Sequence, residues 1–433
     1  MLNIFGYALY CLRAAFVFLL SVTCVGFLGP AAADYTYAME DKAEKYETRA
    51  RILATSTERN FFDKLSPMLH NNSSNLFTPS GCWDVTALLT MYTKMAEMDG
   101  KYLRCADRAI ETLGFYGRPT PGGGFSAYTG AWKMFQNTSD GDVYYDDNMW
   151  VGRDLVQLYA LTGDTKYLDR AIIIADMIIA EGWVDLSEEM FTLRFGRAPG
   201  GPLGGFYWRD DRVSLHVCSN GPAIQFLTLL SDVADNGKAA SYLDYAKKCY
   251  RFLKYLERDN GVFWDLMSFH KDADNNITGI NRGEGGSFSY NSGTPISSAV
   301  ELYKRTGEEA YLTDAKRWGY SADVFFAKES PVPGVKAFTD LPWFREILLM
   351  GYIDLYEFDS GALAYIQNME GSINYGYEHH RQNGVLGWNK NLIPRDWVDG
   401  FKDEDARKNG TALEQIPCAG IYASLAMFYA ALG

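Results

Sequence analysis

A Tyr-Leu step recurs along the chain and constrains its architecture more tightly than any other feature. It stands in GKYLRCA (100–106), DTKYLDRA (164–171), ASYLDYA (240–246) and EAYLTDA (309–315), and the tyrosines at 102, 167, 242 and 311 are 65, 75 and 69 residues apart. Repetition at a fixed long period marks a fold assembled from one supersecondary unit. Each copy follows an apolar-periodic run that ends in a turn, as in Thr162-Gly163-Asp164 and Thr306-Gly307-Glu308, where glycine supplies the helix stop. Each copy therefore opens the second helix of a hairpin. Within one such helix Leu168, Ala171, Ile172, Ala175, Ile178 and Ile179 form a single apolar stripe at helical period. Two weaker copies complete the count, one over 349–366 and one formed by a C-terminal helix from about Gln415 closing against an N-terminal helix from about Glu40. Six hairpins predict an all-α (α/α)6 toroid. An open solenoid is the alternative, but its repeats are usually shorter and more uniform.

The N-terminus is of another kind. One charge, Arg13, precedes the apolar run 14–27, and Pro30 is followed by three alanines. This is a signal-peptide pattern with cleavage expected after Ala33; an uncleaved membrane anchor is the rival reading. Residues 34–433 are then expected to form one catalytic domain, since no Pro, Gly or Ser-rich linker divides them. The net charge of −13, without basic runs, argues against a nucleic-acid partner. No protein partner is evident and a monomer is expected. Outside the leader Cys82, Cys105, Cys218, Cys249 and Cys418 are widely spaced with no metal-ligand pattern, so one disulfide is possible but a disulfide framework is not.

In a closed ring the starts of the six first helices share one rim. Those starts carry Trp83-Asp84, Asp146-Asp147, Ser219-Asn220, Tyr290-Asn291, Trp343 with Arg345, and Glu414-Gln415. Helix capping alone favours Asp, Asn and Ser at such places. Their recurrence beside Trp and Tyr, which stack on sugar rings, and the Gly- and aromatic-rich loops GGGFSAY (122–128) and GGFYWRDD (204–211) point instead to a carbohydrate site.

Two carboxylates are consecutive in YYDDNMW (144–150). Glycoside hydrolysis needs two carboxyl groups flanking the scissile bond, and the retaining route needs them about 5 to 5.5 Å apart. Neighbours at a helix start project about 100° from one another and can reach that separation. Adjacency thus favours retention, with Asp146 as nucleophile and Asp147 as general acid/base, their mutual repulsion holding one proton on the pair. Asp84, Tyr145, Trp150, Trp208, Asn220, Tyr290 and Asn291 are the expected sugar-binding wall.

The stretch YDDNMWVGRDLVQLYALTGDTKYL (145–168) resembles the signature of glycoside hydrolase family 76, the α-1,6-mannanase family, and GGFYWRDD, HVCSNGPAIQFLTLL and GSFSYNSGTPISSAVELYKRTGEEAYL resemble its later inner-helix regions. YDDN together with CSNGPA is closer to the bacterial members than to the fungal transglycosidases. The resemblance spans about 83–325. It implies an (α/α)6 barrel, a retaining mechanism, paired aspartates at Asp146 and Asp147, and an α-1,6-linked mannan as substrate, with no cofactor. The leader places such an enzyme outside the cytoplasm, secreted, periplasmic or on the cell surface.

Two other readings stay open on the residues. A sugar epimerase or isomerase on the same toroid would rely on histidine for proton transfer, and of five histidines only His216 is expected near the cavity. A glycan-binding protein without turnover would keep the aromatics but has no need of both aspartates. No metal site is expected: Asp272, Asp274 and Asn276 alternate as calcium ligands do, but the glycine at the sixth loop position and the glutamate at the twelfth are missing, which leaves a solvated loop.

Overall fold

The computed structural model describes residues 30–433 except 63–66, 74, 120–124, 132–141, 236, 275, 282, 383–390, 405 and 407–409. The expected leader, residues 1–33, lies outside the described residues but for its last four, and so do the glycines at 122–124. Thirteen α-helices follow in chain order among the described residues: α1 (Pro30–Phe61), α2 (Cys82–Met98), α3 (Leu103–Leu113), α4 (Tyr145–Thr162), α5 (Thr165–Met177), α6 (Glu188–Phe195), α7 (Val217–Val233), α8 (Ala239–Leu253), α9 (Tyr290–Thr306), α10 (Glu309–Phe326), α11 (Pro342–Tyr356), α12 (Ala362–Tyr375) and α13 (Ala412–Leu432).

Six of them, α2, α4, α7, α9, α11 and α13, form an inner ring in which each packs on the next and α13 closes on α2. Each has an outer partner, and α1 serves α13. The protein is an (α/α)6 toroid, closed as expected by its two chain-terminal helices. The hairpin turns follow from local chemistry. Gly163 adopts φ 70° and gives its N–H to the Tyr159 carbonyl, and Asp164 then caps α5 by accepting from the Lys166 amide. Gly307 ends α9 in the same way at φ 71°.

Outer and inner helices differ in what they bury. Helix α5 buries Tyr167, Leu168, Ala171, Ile174, Ala175 and Met177, a stripe rotated from the expected one so that Ile172 and Ile179 only flank it. Inner helices are buried all round, α9 from Tyr290 through Val300 without a break. Such crowding demands small residues where backbones meet. A Cβ on Gly293 of α9 would lie 2.4 Å from the Ile347 carbonyl oxygen of α11, and one on Gly351 would lie 2.7 Å from the Gly293 carbonyl oxygen. Helix α13 is long and apolar enough to cross a membrane, but it is the core helix of this ring, with 78% of its apolar window buried.

Outer helices run opposite to inner ones, so the loops that follow them emerge on the rim where inner helices begin. These loops carry short antiparallel strands, including 183–186 with 203–206 and the three-stranded set 214–216, 266–271 and 277–280. Asp272 accepts from the Asp274 and Asn276 amides, both at 2.9 Å, and turns an exposed loop at the edge of that set. The five cysteines outside the leader are all free thiols.

Candidate active site

The rim side of the ring holds a cavity of about 530 Å³ whose walls include Trp83, Tyr144, Asp146, Asp147, Trp208, His216, Cys218, Asp265, Tyr290 and Phe344. Five of the six inner-helix starts contribute; the sixth, at Glu414 and Gln415, does not line it.

Amide side chains fix several of those starts to the rim strands. Asn148, in the first turn of α4, accepts from the Tyr128 amide at 2.8 Å and donates to the Tyr128 and Tyr144 carbonyls. Asn220 does the same in α7, accepting from the Phe206 amide at 2.8 Å and donating to the Phe206 and His216 carbonyls. Gln415 repeats the device in α13 with both polar groups of Ile393. Buried backbone groups require partners, and here one side chain satisfies a strand and a helix end together.

Asp146 and Asp147 follow at the first turn of α4, both almost fully buried. Asp146 Oδ1 accepts from the Asp147 amide at 3.0 Å and Oδ2 from the Trp208 indole N–H at 3.2 Å. The buried Cys218 thiol acts on Asp146 and the Cys82 thiol on Asp147, each drawing its carboxyl group down a little. Burial pushes the Asp146 carboxyl up to about 6, against the pull of these donors. Asp147 is raised as well, first by burial and then by the charges of Asp146 and Asp84. The surroundings of the pair are unequal: the amide and indole donors fall on Asp146 and favour its ionised form, while the charge of Asp146 disfavours that of Asp147.

Trp208 is held by a backbone bond from the Tyr145 amide to its carbonyl at 2.9 Å and by its own amide to Ser214 at 3.0 Å. Its ring meets Tyr144 edge-on at 5.1 Å and stacks on His216 at 4.8 Å. The His216 Nε2 lies 2.9 Å from Ser214 Oγ and its Nδ1 3.8 Å from Asp265 Oδ2. Burial lowers the His216 pKa in spite of Asp265, which favours the neutral ring. Asp265 in turn accepts from the Tyr290 hydroxyl at 2.9 Å and from Asn291 Nδ2 at 3.0 Å.

Of the expected wall, Trp208 and Tyr290 line the cavity with the aspartates. The others stand elsewhere. The Tyr145 ring turns outward onto Gly182, where a Cβ would come within 3.1 Å of it. Trp150 lies one turn deeper as core, 5.4 Å from Trp343 and under Arg153. Asn220 is the strand anchor just described, and Asn291 stands behind Asp265. Asp84 caps its own helix by accepting from the Gly81 amide at 3.1 Å; burial pushes it up to about 6 and its charge acts on Asp147. Arg345, at the α11 start, is spent on the Asp340 carbonyl at 2.6 Å and lies over Trp397. His216 is where expected, in the wall. Sequence reasoning missed Asp265, Cys82, Cys218 and Phe344. Asp265 precedes a strand rather than opening a helix, and the two thiols look like ordinary core cysteines.

A ring of six helical hairpins with adjacent buried carboxyl groups among aromatic rings at its mouth has the build of a carbohydrate-active enzyme. The model of glycosyl hydrolase family 76 matches residues 124–356, more than half of the chain, and the protein belongs to that family; it is a glycoside hydrolase. Among solved structures, the family 76 mannosidase Bt3792 from Bacteroides thetaiotaomicron VPI-5482 is 23% identical, covering 90% of this chain and 98% of its own with a TM-score of 0.69. An inactive variant of the α-1,6-mannanase GH76A of Salegentibacter sp. HEL1_6, with two consecutive aspartates changed to asparagine and α-1,6-mannotriose bound, is 20% identical, covering 88% and 99% with a TM-score of 0.66. A D-mannose isomerase is 14% identical, covering 92% and 99% with a TM-score of 0.57. At these identities the likeness is one of fold, and the toroid alone does not separate hydrolase from isomerase. Among curated proteins none matches.

Proposed function

We propose that this protein is a retaining, endo-acting α-1,6-mannanase in which residues 34–433 act as one monomeric catalytic unit exported by the N-terminal leader to the periplasm, the cell surface or the medium. The observation that carries the reading is the buried pair in the cavity wall: one carboxylate that accepts from an amide and an indole, which favours its ionised form, beside another that burial and the charges of Asp146 and Asp84 push toward its protonated form. Asp146 attacks the anomeric carbon of a mannosyl unit while Asp147 gives its proton to the departing glycosidic oxygen. The bond to the leaving sugar breaks as the Asp146–mannosyl ester forms. Asp147, now ionised, takes a proton from water, and that water displaces Asp146 and restores the pair. The Salegentibacter mannanase, inactive when two consecutive aspartates are replaced and bound to α-1,6-mannotriose, supports both pair and linkage. Trp208 and Tyr290, with Trp83 and Phe344, offer apolar faces for sugar rings. Asp265, held at Oδ1 by Tyr290 and Asn291, offers its Oδ2 edge, beside His216, to hydroxyls.

The test is product analysis after incubation of the mature chain with unbranched α-1,6-mannan, with the anomeric form of the first product followed by NMR. Short oligomers released in the α form, and loss of about 10³-fold or more in Asp146→Asn and Asp147→Asn, are expected. Products first appearing as β anomers overturn retention; full activity in both variants overturns the pair.

A further inference from the structure

Three aromatic rings converge where α9 and α11 begin. The Tyr290 and Phe344 rings lie 4.2 Å apart, and both line the cavity. Phe288 meets each of them, 5.7 Å from Tyr290 with the two planes within 5° of parallel and 5.8 Å from Phe344. Parallel rings at that separation are offset rather than laid one on the other, so Phe288 continues the Tyr290 wall as a step. Phe288 is half-buried and follows the exposed residues 284–286, so the step leads from the cavity toward solvent. Both chain neighbours pin it. Ser287 Oγ accepts from Arg258 Nη1 and donates to the Phe263 carbonyl, each at 2.8 Å. The Ser289 amide donates to Asp340 Oδ2 at 2.6 Å, and the Asp340 carbonyl accepts from Arg345 at 2.9 and 2.6 Å. Asp340 thus ties the start of α9, which carries Tyr290, to the start of α11, which carries Phe344. A ring held in this way loses little freedom when something packs on it.

We propose that Phe288, continuing the wall of Tyr290 and Phe344, is a further sugar-binding subsite that takes a unit of the mannan chain beyond the reacting one and makes the enzyme favour long chains. The inference rests on the reading of the site as a mannanase. Helices α4 and α11 stand opposite one another in the ring of six, so a unit resting on Phe288 lies across the mouth from Asp146 and Asp147 and is a neighbour of the unit they act on. A pyranose ring presents C–H bonds on its flat sides, and these pack on the electron-rich face of an aromatic ring. Contacts made to remote parts of a substrate raise kcat/KM for the chains long enough to reach them. A residue that only fills space at position 288 needs apolar volume, whereas a stacking subsite needs a flat ring.

The test is kcat/KM on α-1,6-linked mannose oligomers from the disaccharide to the hexasaccharide for wild type, Phe288→Ala, Phe288→Leu and Phe288→Trp, with thermal unfolding to establish that each variant is folded. Wild type is expected to gain with length. Phe288→Ala and Phe288→Leu lose that gain, about fivefold or more on the hexasaccharide and progressively less as the oligomer shortens, while Phe288→Trp keeps it. A wild type that gains nothing with length, an equal loss at every length, or a full gain in Phe288→Leu overturns the inference and makes Phe288 a packing residue. The leucine and tryptophan variants decide the matter if Phe288→Ala does not fold. Binding of the same oligomers to Asp146→Asn, with and without Phe288→Leu, is followed by calorimetry to separate the subsite from the chemistry. If wild type turns over no oligomer but length-dependent binding is lost with Phe288→Leu, the hydrolytic reading is at fault and the subsite stands; binding that is absent at every length, or that Phe288→Leu does not weaken, overturns the subsite.

Discussion

In the proposed mechanism Asp146 has to be an ionised nucleophile in a place that penalises charge, and its donors set how far that penalty reaches. The Trp208 indole donates to it at 3.2 Å and comes from a loop whose register is fixed by the Tyr145 and Ser214 backbone bonds. Trp208→Phe keeps an aromatic face against His216 and removes only the N–H. The ionised form of Asp146 then loses a charge-assisted bond, so its pKa rises from about 6 and the acidic limb of kcat/KM moves to higher pH by about one unit, with little change on the alkaline side. A uniform fall in rate with both limbs unmoved shows instead that Trp208 acts only as a sugar platform. The aspartates themselves were legible in the sequence because two carboxylates in succession between aromatics are chemically distinctive. Asp265 was not, because one acid before a strand carries no pattern until Tyr290 and Asn291 are seen to converge on it.

Elements, more than single residues, were written in the repeat. The Tyr-Leu step marks the start of outer helices because that tyrosine packs or bonds sideways to the preceding hairpin: the Tyr167 hydroxyl donates to Asp107 at 2.7 Å and the Tyr242 hydroxyl to Asp176 at 3.1 Å. The rim was legible as a set of helix starts, but polar residues there divide between two tasks that look alike in sequence. Asp146 and Asp147 face the cavity; Asn148, Asn220 and Gln415 zip helix starts to rim backbone. Which task a residue has depends on its angle around the helix and on where the loop strand falls, and neither is local information. Asn220→Ala is predicted to leave the Phe206 N–H and C=O buried without their side-chain partner, destabilising the protein by about 2 to 4 kcal/mol. Denaturant unfolding measures this directly. A raised KM at unchanged stability is the opposite outcome and returns Asn220 to the sugar wall.

At the scale of the whole molecule, a ring of inner helices buried on every side must take its polar residues inside with it. Besides the aspartate pair it encloses Asp84, Asp154 and Glu346, with Arg153 3.4 Å from Asp154 and Thr90 donating to Asp154 at 2.5 Å. Burial pushes Asp84 and Asp154 up to about 6 and drives Glu346 well above the usual carboxylate range, against the partial relief of Arg153. A carboxyl group whose folded pKa is raised is bound to its proton more tightly in the folded state. Its stabilising contribution is therefore complete below the unfolded pKa near 4 and is lost as pH rises through about 6. Glu378, paired with Arg49, and Asp272, with its own loop amides, run the other way, but the first is half-exposed and the second stands on an exposed loop. The thermal midpoint of the protein is thus expected to fall between pH 5 and pH 8, toward the range in which an ionised Asp146 is needed for turnover. Asp84→Asn keeps an oxygen to accept from the Gly81 amide and removes the charge, as Asp146→Asn does in the pair. Each is predicted to gain up to about 3 kcal/mol at pH 8, or about 3 °C for a chain of this size, and nothing at pH 4. Calorimetry across that range decides it: a difference from wild type that opens above pH 6 traces the cost to buried carboxylates, whereas an offset constant with pH places the effect in packing.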